Sequence, residues 1–155
     1  MITGPMNRMR IRILLGCAAM MLVSFDAGAA ASRQELSQRW LSSGRAQTVA
    51  GNHLVARKSL EKAIVADPAN ALALAWLGVS CQKLGDAEAA AKYFRIALEV
   101  EPDNRTVVLM AGKADVSAGE MADAKDKLAR LQRLCGAACP ETQELDQLIA
   151  AGPGK

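Results

Sequence analysis

Glycine recurs in this chain at a fixed interval, and that interval restricts the fold more than any other feature. Gly44, Gly78 and Gly112 stand 34 residues apart, and so do Gly51, Gly85 and Gly119. Ala56, Ala90 and Ala124 keep the same spacing, as do Ala63 and Ala97, and Pro68 and Pro102. An alanine-rich chain produces alanine coincidences by chance, but it does not produce two glycine columns. A period of this size implies a stack of similar units, each too small to bury its own apolar face.

The unit is clearest from Ala71 to Asn104. Leu74, Leu77, Gly78 and Cys81 recur at helical spacing, and Gly85-Asp86 is a turn signal. Ala90, Phe94, Ala97 and Leu98 share one face of a second helix, which Pro102 stops. Each unit is therefore two amphipathic helices joined by a tight turn. Aromatic residues make up only 3% of the chain, which suits close-packed helices better than a sheet. The units run 37–70, 71–104 and 105–138. Gly44, Gly78 and Gly112 mark places where paired helices come so close that a side chain would hold them apart. A first helix from Ser32 to about Ala50, capped by Ser32 or Ser37, should be followed by a second from His53 to Ala66, closed by Asp67-Pro68. Phe94 should pack in the core with Tyr93 partly exposed, and the second helix of the middle unit should be the best-buried element. The third unit is looser, with Leu131 in the alanine column and Gly136 where proline stood. Its second helix, Met121 to Leu134, places Asp123 and Asp126 four residues before Lys127 and Arg130, a spacing suited to surface ion pairs.

The pattern resembles the tetratricopeptide repeat family. That family has a Leu-Gly pair in the first helix, a turn glycine, alanine and a large residue in the second helix, and a closing proline. Leu77, Gly78, Ala90, Phe94, Ala97 and Pro102 carry the resemblance in the middle unit, and Trp40, Gly44, Ala56, Leu60, Ala63 and Pro68 in the first. The third keeps Gly112, Gly119, Ala124 and Leu128. The resemblance implies an all-α solenoid of three helix pairs.

Two flanking segments complete the reading. Arg8, Arg10 and Arg12 precede the apolar run Ile13 to Val23 and the exit Ala27-Gly28-Ala29-Ala30-Ala31. Positive start, short apolar run and small-residue exit are the parts of a secretory signal peptide. Residues 1–31 are read as that leader, cleaved between Ala29 and Ser32. The run is shorter than the roughly 20 residues of a membrane span, which favours the cleaved leader over the alternative, an uncleaved membrane anchor. Leu14-Leu15-Gly16-Cys17 resembles a lipoprotein box, but few apolar residues precede Cys17 and the run continues past it. Met6 and Met9 are alternative starts. The leader places a domain of residues 32–151 in the periplasm of a Gram-negative bacterium. At the other end, Cys135-Gly136-Ala137-Ala138-Cys139-Pro140 breaks the repeat. Pro140 to Ala151 then forms a helix with Leu145, Leu148 and Ile149 on one edge, closed by Gly152-Pro153, with residues 152–155 as a tail. It serves as the cap that stacked repeats need.

Cys135 and Cys139 are expected to form a disulfide pinning that cap to the last repeat, since an exported chain meets an oxidising compartment. A redox motif has two residues between its cysteines, and here there are three. A metal site lacks partners, because His53 is the single histidine and is expected to face solvent. Cys81 falls in a core column and reads as a small buried hydrophobe. No phosphate loop, paired histidines or nucleophile elbow is present, so neither a catalytic residue nor a cofactor is expected. Arg8, Arg10 and Arg12 against Asp26 account for most of the net charge of +3. The body therefore has no basic stripe and no stacking platform for nucleic acid. Membrane contact is expected only through the leader.

What the family resemblance implies is a peptide-binding groove lined by the first helix of each pair, through its second, fifth, ninth, twelfth and thirteenth places. Those places hold Gln38, Leu41, Arg45, Thr48 and Val49, then Leu72, Ala75, Val79, Gln82 and Lys83, then Thr106, Leu109, Lys113, Val116 and Ser117. Leu41, Arg45, Leu72, Ala75, Val79, Lys83, Leu109 and Lys113 are the candidate contacts, apolar with cations and no carboxylate. The Lys/Asn/Arg clamp by which some relatives hold a carboxylate tail is not recognisable. The function implied is a non-catalytic interaction module binding a peptide or an envelope-assembly subunit. The alternatives are self-association, with the groove filled by another copy, and a small thiol-redox protein using Cys135 and Cys139.

Overall fold

A computed structural model describes residues 31–152. Residues 1–30, which hold all but the last residue of the leader, Cys17 among them, lie outside the described residues, as does Pro153. The chain divides into two compact units, Met1–Glu35 and Leu36–Lys155, and the repeats belong to the second. The described chain is helical from residue 31 to 49, here α1. It continues with α2 (His53–Ala66), α3 (Ala71–Lys83), α4 (Ala87–Val100), α5 (Arg105–Ala118), α6 (Met121–Cys135) and α7 (Pro140–Ala151). There is no strand among the described residues.

Local chemistry sets these boundaries. Gly119 ends α5 in the left-handed conformation, with φ 80°, and Gly51 and Gly85 turn their helix pairs the same way. A side chain at these positions would meet strain rather than crowding. Asn70 and Asn104, again 34 residues apart, cap α3 and α5 by accepting the amides of Ala73 and Val107. Asp86 caps α4 through the amide of Ala89. Ser37 is no cap. It lies buried within α1, donates to the Ala63 carbonyl at 2.9 Å, and accepts from the Asn70 side chain at 2.9 Å. One buried hydroxyl thus joins α1, α2 and the start of α3.

The core falls in two clusters. The larger joins the first two repeats to the near side of α5 and includes Leu60, Leu77, Phe94 and Val107. The smaller joins α5, α6 and α7 through Val108, Leu131 and Leu145. Burying a leucine of this kind contributes about 1.5–3 kcal/mol. The best-buried helix is α3, not α4. Eight of its residues are buried, from Ala71 to Cys81, against Ala90, Phe94 and Ala97 in α4. The reason is position: α3 has helices on several sides, whereas α4 keeps an outer face in water.

The end of the chain also differs from the sequence reading. Cys139, Thr142 and Leu145 stand 34 residues after Arg105, Val108 and Ala111, and α7 packs on both α5 and α6. The repeat register therefore passes through the Gly-Ala-Ala break. The cap takes the place that the first helix of a fourth unit would hold.

Candidate functional site

Each first helix keeps one stripe open to solvent. On α3 it is Leu72, Trp76, Val79 and Lys83, spaced by four, three and four residues, which is one narrow face of a helix. The same places on α1 hold Gln38, Ser42, Arg45 and Val49, and on α5 Thr106, Met110, Lys113 and Ser117. All of these are exposed or half-buried. Neighbouring first helices are tied side by side. Thr48 and Ser80 share a hydrogen bond at 3.0 Å, and the Gln82 side chain donates to the Ala114 carbonyl at 3.2 Å.

This geometry sorts the candidate contacts. Leu72 and Val79 are half-buried on the open stripe, and Arg45, Lys83 and Lys113 are exposed on it. Leu41, Ala75 and Leu109 turn inward and are only 7%, 0% and 8% exposed. The fifth place of each unit lies at the seam between adjacent helices, not over the open face. Leu109 belongs to the small core that includes α7's Leu145. Thr48 and Val116, at the twelfth place, are buried too. The residue that sequence reasoning missed is Trp76. A step of four from Leu72 reaches Trp76 rather than Ala75, so helical angle alone could have found it.

Electrostatics refine the stripe. The Arg45 guanidinium lies 5.6 Å from the centre of the Trp76 ring, a cation–π contact bridging α1 and α3. Lys113 is ion-paired at 2.6 Å with Glu144 of α7. That corrects the expectation of a face without carboxylates, because the cap brings one. Arg45 and Lys83 are the exposed cations nearest the apolar middle of the face in register, while the charge of Lys113 is matched by Glu144.

The remaining candidates are structural in placement. Cys135 and Cys139 are joined in a disulfide from the last residue of α6 to the N-cap of α7. Glu141 lies beside it, with a carboxylate oxygen 4.0 Å from the Arg105 guanidinium. Cys81 is a free, fully buried thiol whose pKa is raised by burial. His53 is half-buried rather than solvent-facing, and its Nδ1 is enclosed with no partner among the described residues. Lys127 turns from the expected Asp123 to Asp115, with Nζ 2.6 Å from the carboxylate. Burial pushes the Asp115 carboxyl up, and the ion pair with Lys127 opposes that rise. This pair walls a cleft of about 380 Å³ between α4 and the α5–α6 pair, whose lining also includes Phe94, Leu98 and Ala111 with Gln82, Arg95 and Glu120.

A profile described as tetratricopeptide repeat matches residues 41–104 and 82–138. No curated protein matches the chain. Solved structures do. The TPR domain of Arabidopsis OM64 shares 17% identity at a TM-score of 0.65, covering 77% of this chain and 98% of that one. The first TPR of Spaghetti (RPAP3), bound to the HSP90 peptide SRMEEVD, shares 18% at 0.64, covering 76% and 94%. The Yersinia enterocolitica type III secretion chaperone SycD, in complex with a peptide of the translocator YopD, shares 22% at 0.60, covering 74% and 86%. At these identities the likeness is one of fold.

Proposed function

The chain belongs to the tetratricopeptide repeat family, and we propose that it is a non-catalytic protein–protein interaction module of the periplasm. It holds a peptide segment, free or part of an envelope-assembly subunit, along the open faces of α1, α3 and α5. The observation that carries this reading is the α3 stripe: Leu72, Trp76 and Val79 form an apolar floor in a helix otherwise buried, with Arg45 over the tryptophan. A large aromatic residue at the centre of an open face, rimmed by cations, is the composition of an interaction hot spot. The favoured ligand has an apolar anchor for Trp76 and Val79 and acidic residues near Arg45 and Lys83. Two proteins of similar fold are seen with peptides bound, which supports the same use of the fold here. The leader pattern at Arg8 to Ala31 and the Cys135–Cys139 disulfide both support an oxidising compartment outside the cytoplasm.

The test is a photo-crosslinking side chain placed at Val79 in living cells, with one at exposed Lys125 of α6 as control, followed by periplasmic fractionation. The expected result is a discrete adduct from position 79 in the periplasmic fraction, at least tenfold weaker when Trp76→Ala is added. An identical adduct pattern from position 125, or one indifferent to Trp76→Ala, would overturn the groove. Retention of the protein in the cytoplasm would overturn the compartment. Leu41 and Leu109 are unsuitable for this test, because a bulky crosslinking side chain overpacks a site where leucine is buried.

A further inference from the structure

Apart from Val49 on the α1 stripe, the most exposed large apolar side chains lie on α2, away from the open face. Leu54 is 67% exposed and Val65 84% exposed, both on α2. Between them at helical steps stand Lys58 and Glu61, also exposed. Leu54, Lys58, Glu61 and Val65 are spaced four, three and four residues apart, so they form one straight seam. It lies on the side of α2 opposite the buried Ala56, Leu60 and Ala63.

The order of that seam is apolar, positive, negative, apolar. Read backwards, it is apolar, negative, positive, apolar. An antiparallel second copy of the same seam is therefore its complement. Leu54 meets Val65 of the second copy, and Lys58 meets Glu61. The two-fold axis repeats both contacts, so all four residues are matched by one symmetric operation. The neighbouring cations are already engaged: Arg57 pairs with Glu61 at 3.0 Å within its own chain, and Lys62 lies 4.3 Å from the centre of the Trp40 ring. Glu61 has a second carboxylate oxygen to offer a lysine from outside. Beside Val65 lies a shallow cleft lined by Leu36, Trp40, Lys62 and Ala66, with room for the incoming leucine.

We propose that α2 is a homodimerisation surface, on which a second copy of this chain docks its own α2 antiparallel about a two-fold axis between Lys58 and Glu61. The interface uses α2 and leaves the α3 stripe to another ligand, so it stands apart from the peptide-binding reading.

The charge order gives a test that ordinary hydrophobic sticking does not pass. The full chain, expressed with its own leader and purified as the cell processes it, is measured by sedimentation at several concentrations. Wild type is expected as a dimer. Lys58→Glu alone sets Glu against Glu at both ends, and Glu61→Lys sets Lys against Lys. Each is expected to raise the dissociation constant by more than about tenfold, since like charges facing across an interface are strongly unfavourable. The double variant Lys58→Glu/Glu61→Lys restores both pairs and should dimerise again. So should an equimolar mixture of the two single variants, now as a heterodimer. Circular dichroism of each variant confirms that the helices remain. A monomeric wild type at all concentrations overturns the proposal, as does a dimer indifferent to either single charge change, which would belong to another surface. Failure of both the double variant and the mixture to re-form the dimer overturns the antiparallel register.

Discussion

A methyl group added at Gly44 would sit 2.5 Å from Cγ of Leu60, and one at Gly78 would sit 3.0 Å from the Phe94 ring. Neither neighbour has room to yield, because Leu60 is fully buried and Phe94 nearly so. Gly44→Ala is therefore expected to lower stability by about 1–3 kcal/mol through overpacking, read as a lower denaturant midpoint at unchanged slope. Gly78→Ala should act in the same direction. If Gly44→Ala raises the midpoint, as replacing glycine in an unhindered helix would, then the helix pair is more loosely packed than its contacts imply. Gly44 and Gly78 were legible in the sequence as close approaches of paired helices, whereas at Gly112 the tight neighbour is Leu145 of α7, 2.6 Å from an added methyl, and not the paired α6. Trp76 was less legible. The family's lining places pointed to Ala75, and only the helical angle from Leu72 to Val79 and Lys83 identifies the tryptophan as the residue facing out. Ser37 was misread for a related reason: a serine near a helix start suggests a cap, and nothing local shows that Ala63 and Asn70 come within reach of it.

At the scale of the helices, α5 and α6 solve a core column differently from the middle repeat. Where α3 and α4 place Cys81 and Tyr93, α5 and α6 place Asp115 and Lys127, with side chains only 15% and 21% exposed. Removing one member of such a pair strands the other, so Lys127→Met is expected to cost about 1–3 kcal/mol, somewhat less than a wholly buried pair would lose. Replacing both, as Asp115→Cys with Lys127→Tyr, should recover most of that loss by restoring the solution the middle repeat uses. The pH dependence has a definite sign. Burial raises the Asp115 pKa above its usual value, so the folded state holds its proton longer than the unfolded state. Asp115 therefore weakens the fold progressively as pH rises through the ordinary carboxylate range, starting near pH 4. In Lys127→Met that decline should steepen, and adding Asp115→Asn should flatten it. Denaturant midpoints measured across that range check both. A steeper decline in wild type than in Lys127→Met would show that Lys127 does not support the carboxylate. The sequence did not reveal this pair, because Asp123 and Lys127 satisfy the local rule for a surface pair while the observed partner comes from another helix.

At the scale of the whole molecule, the repeats were legible because a period survives substitution at any one place. The continued register of α7 was not, because Cys135 to Pro140 interrupts the helices and hides the spacing that Leu145 keeps. What α7 contributes can be separated from the rest, since Leu145 is wholly buried and Leu148 and Ile149 pack only against the smaller cluster. Deleting residues 137–155 removes those three side chains from the smaller cluster and the disulfide together. The expected loss is about 3–5 kcal/mol from apolar burial alone, a large part of the 5–15 kcal/mol that stabilises a typical domain. Opening only the covalent link, by Cys135→Ser with Cys139→Ser, should cost about 2 kcal/mol or less, since it closes a very short loop. The two changes should also differ in where they act. Stacked repeats are held by nearest-neighbour contacts, and the larger cluster centred on α3 is built without α7. In the truncated chain, amide hydrogen exchange should therefore lose protection through α5 and α6 while α3 keeps most of its own. In the disulfide variant, the loss should be confined to α7 and the end of α6. Uniform loss of protection from α1 to α6 after truncation would mean that the two clusters fold as one unit. Unchanged protection in α5 would mean that α7 rests on the third repeat without supporting it.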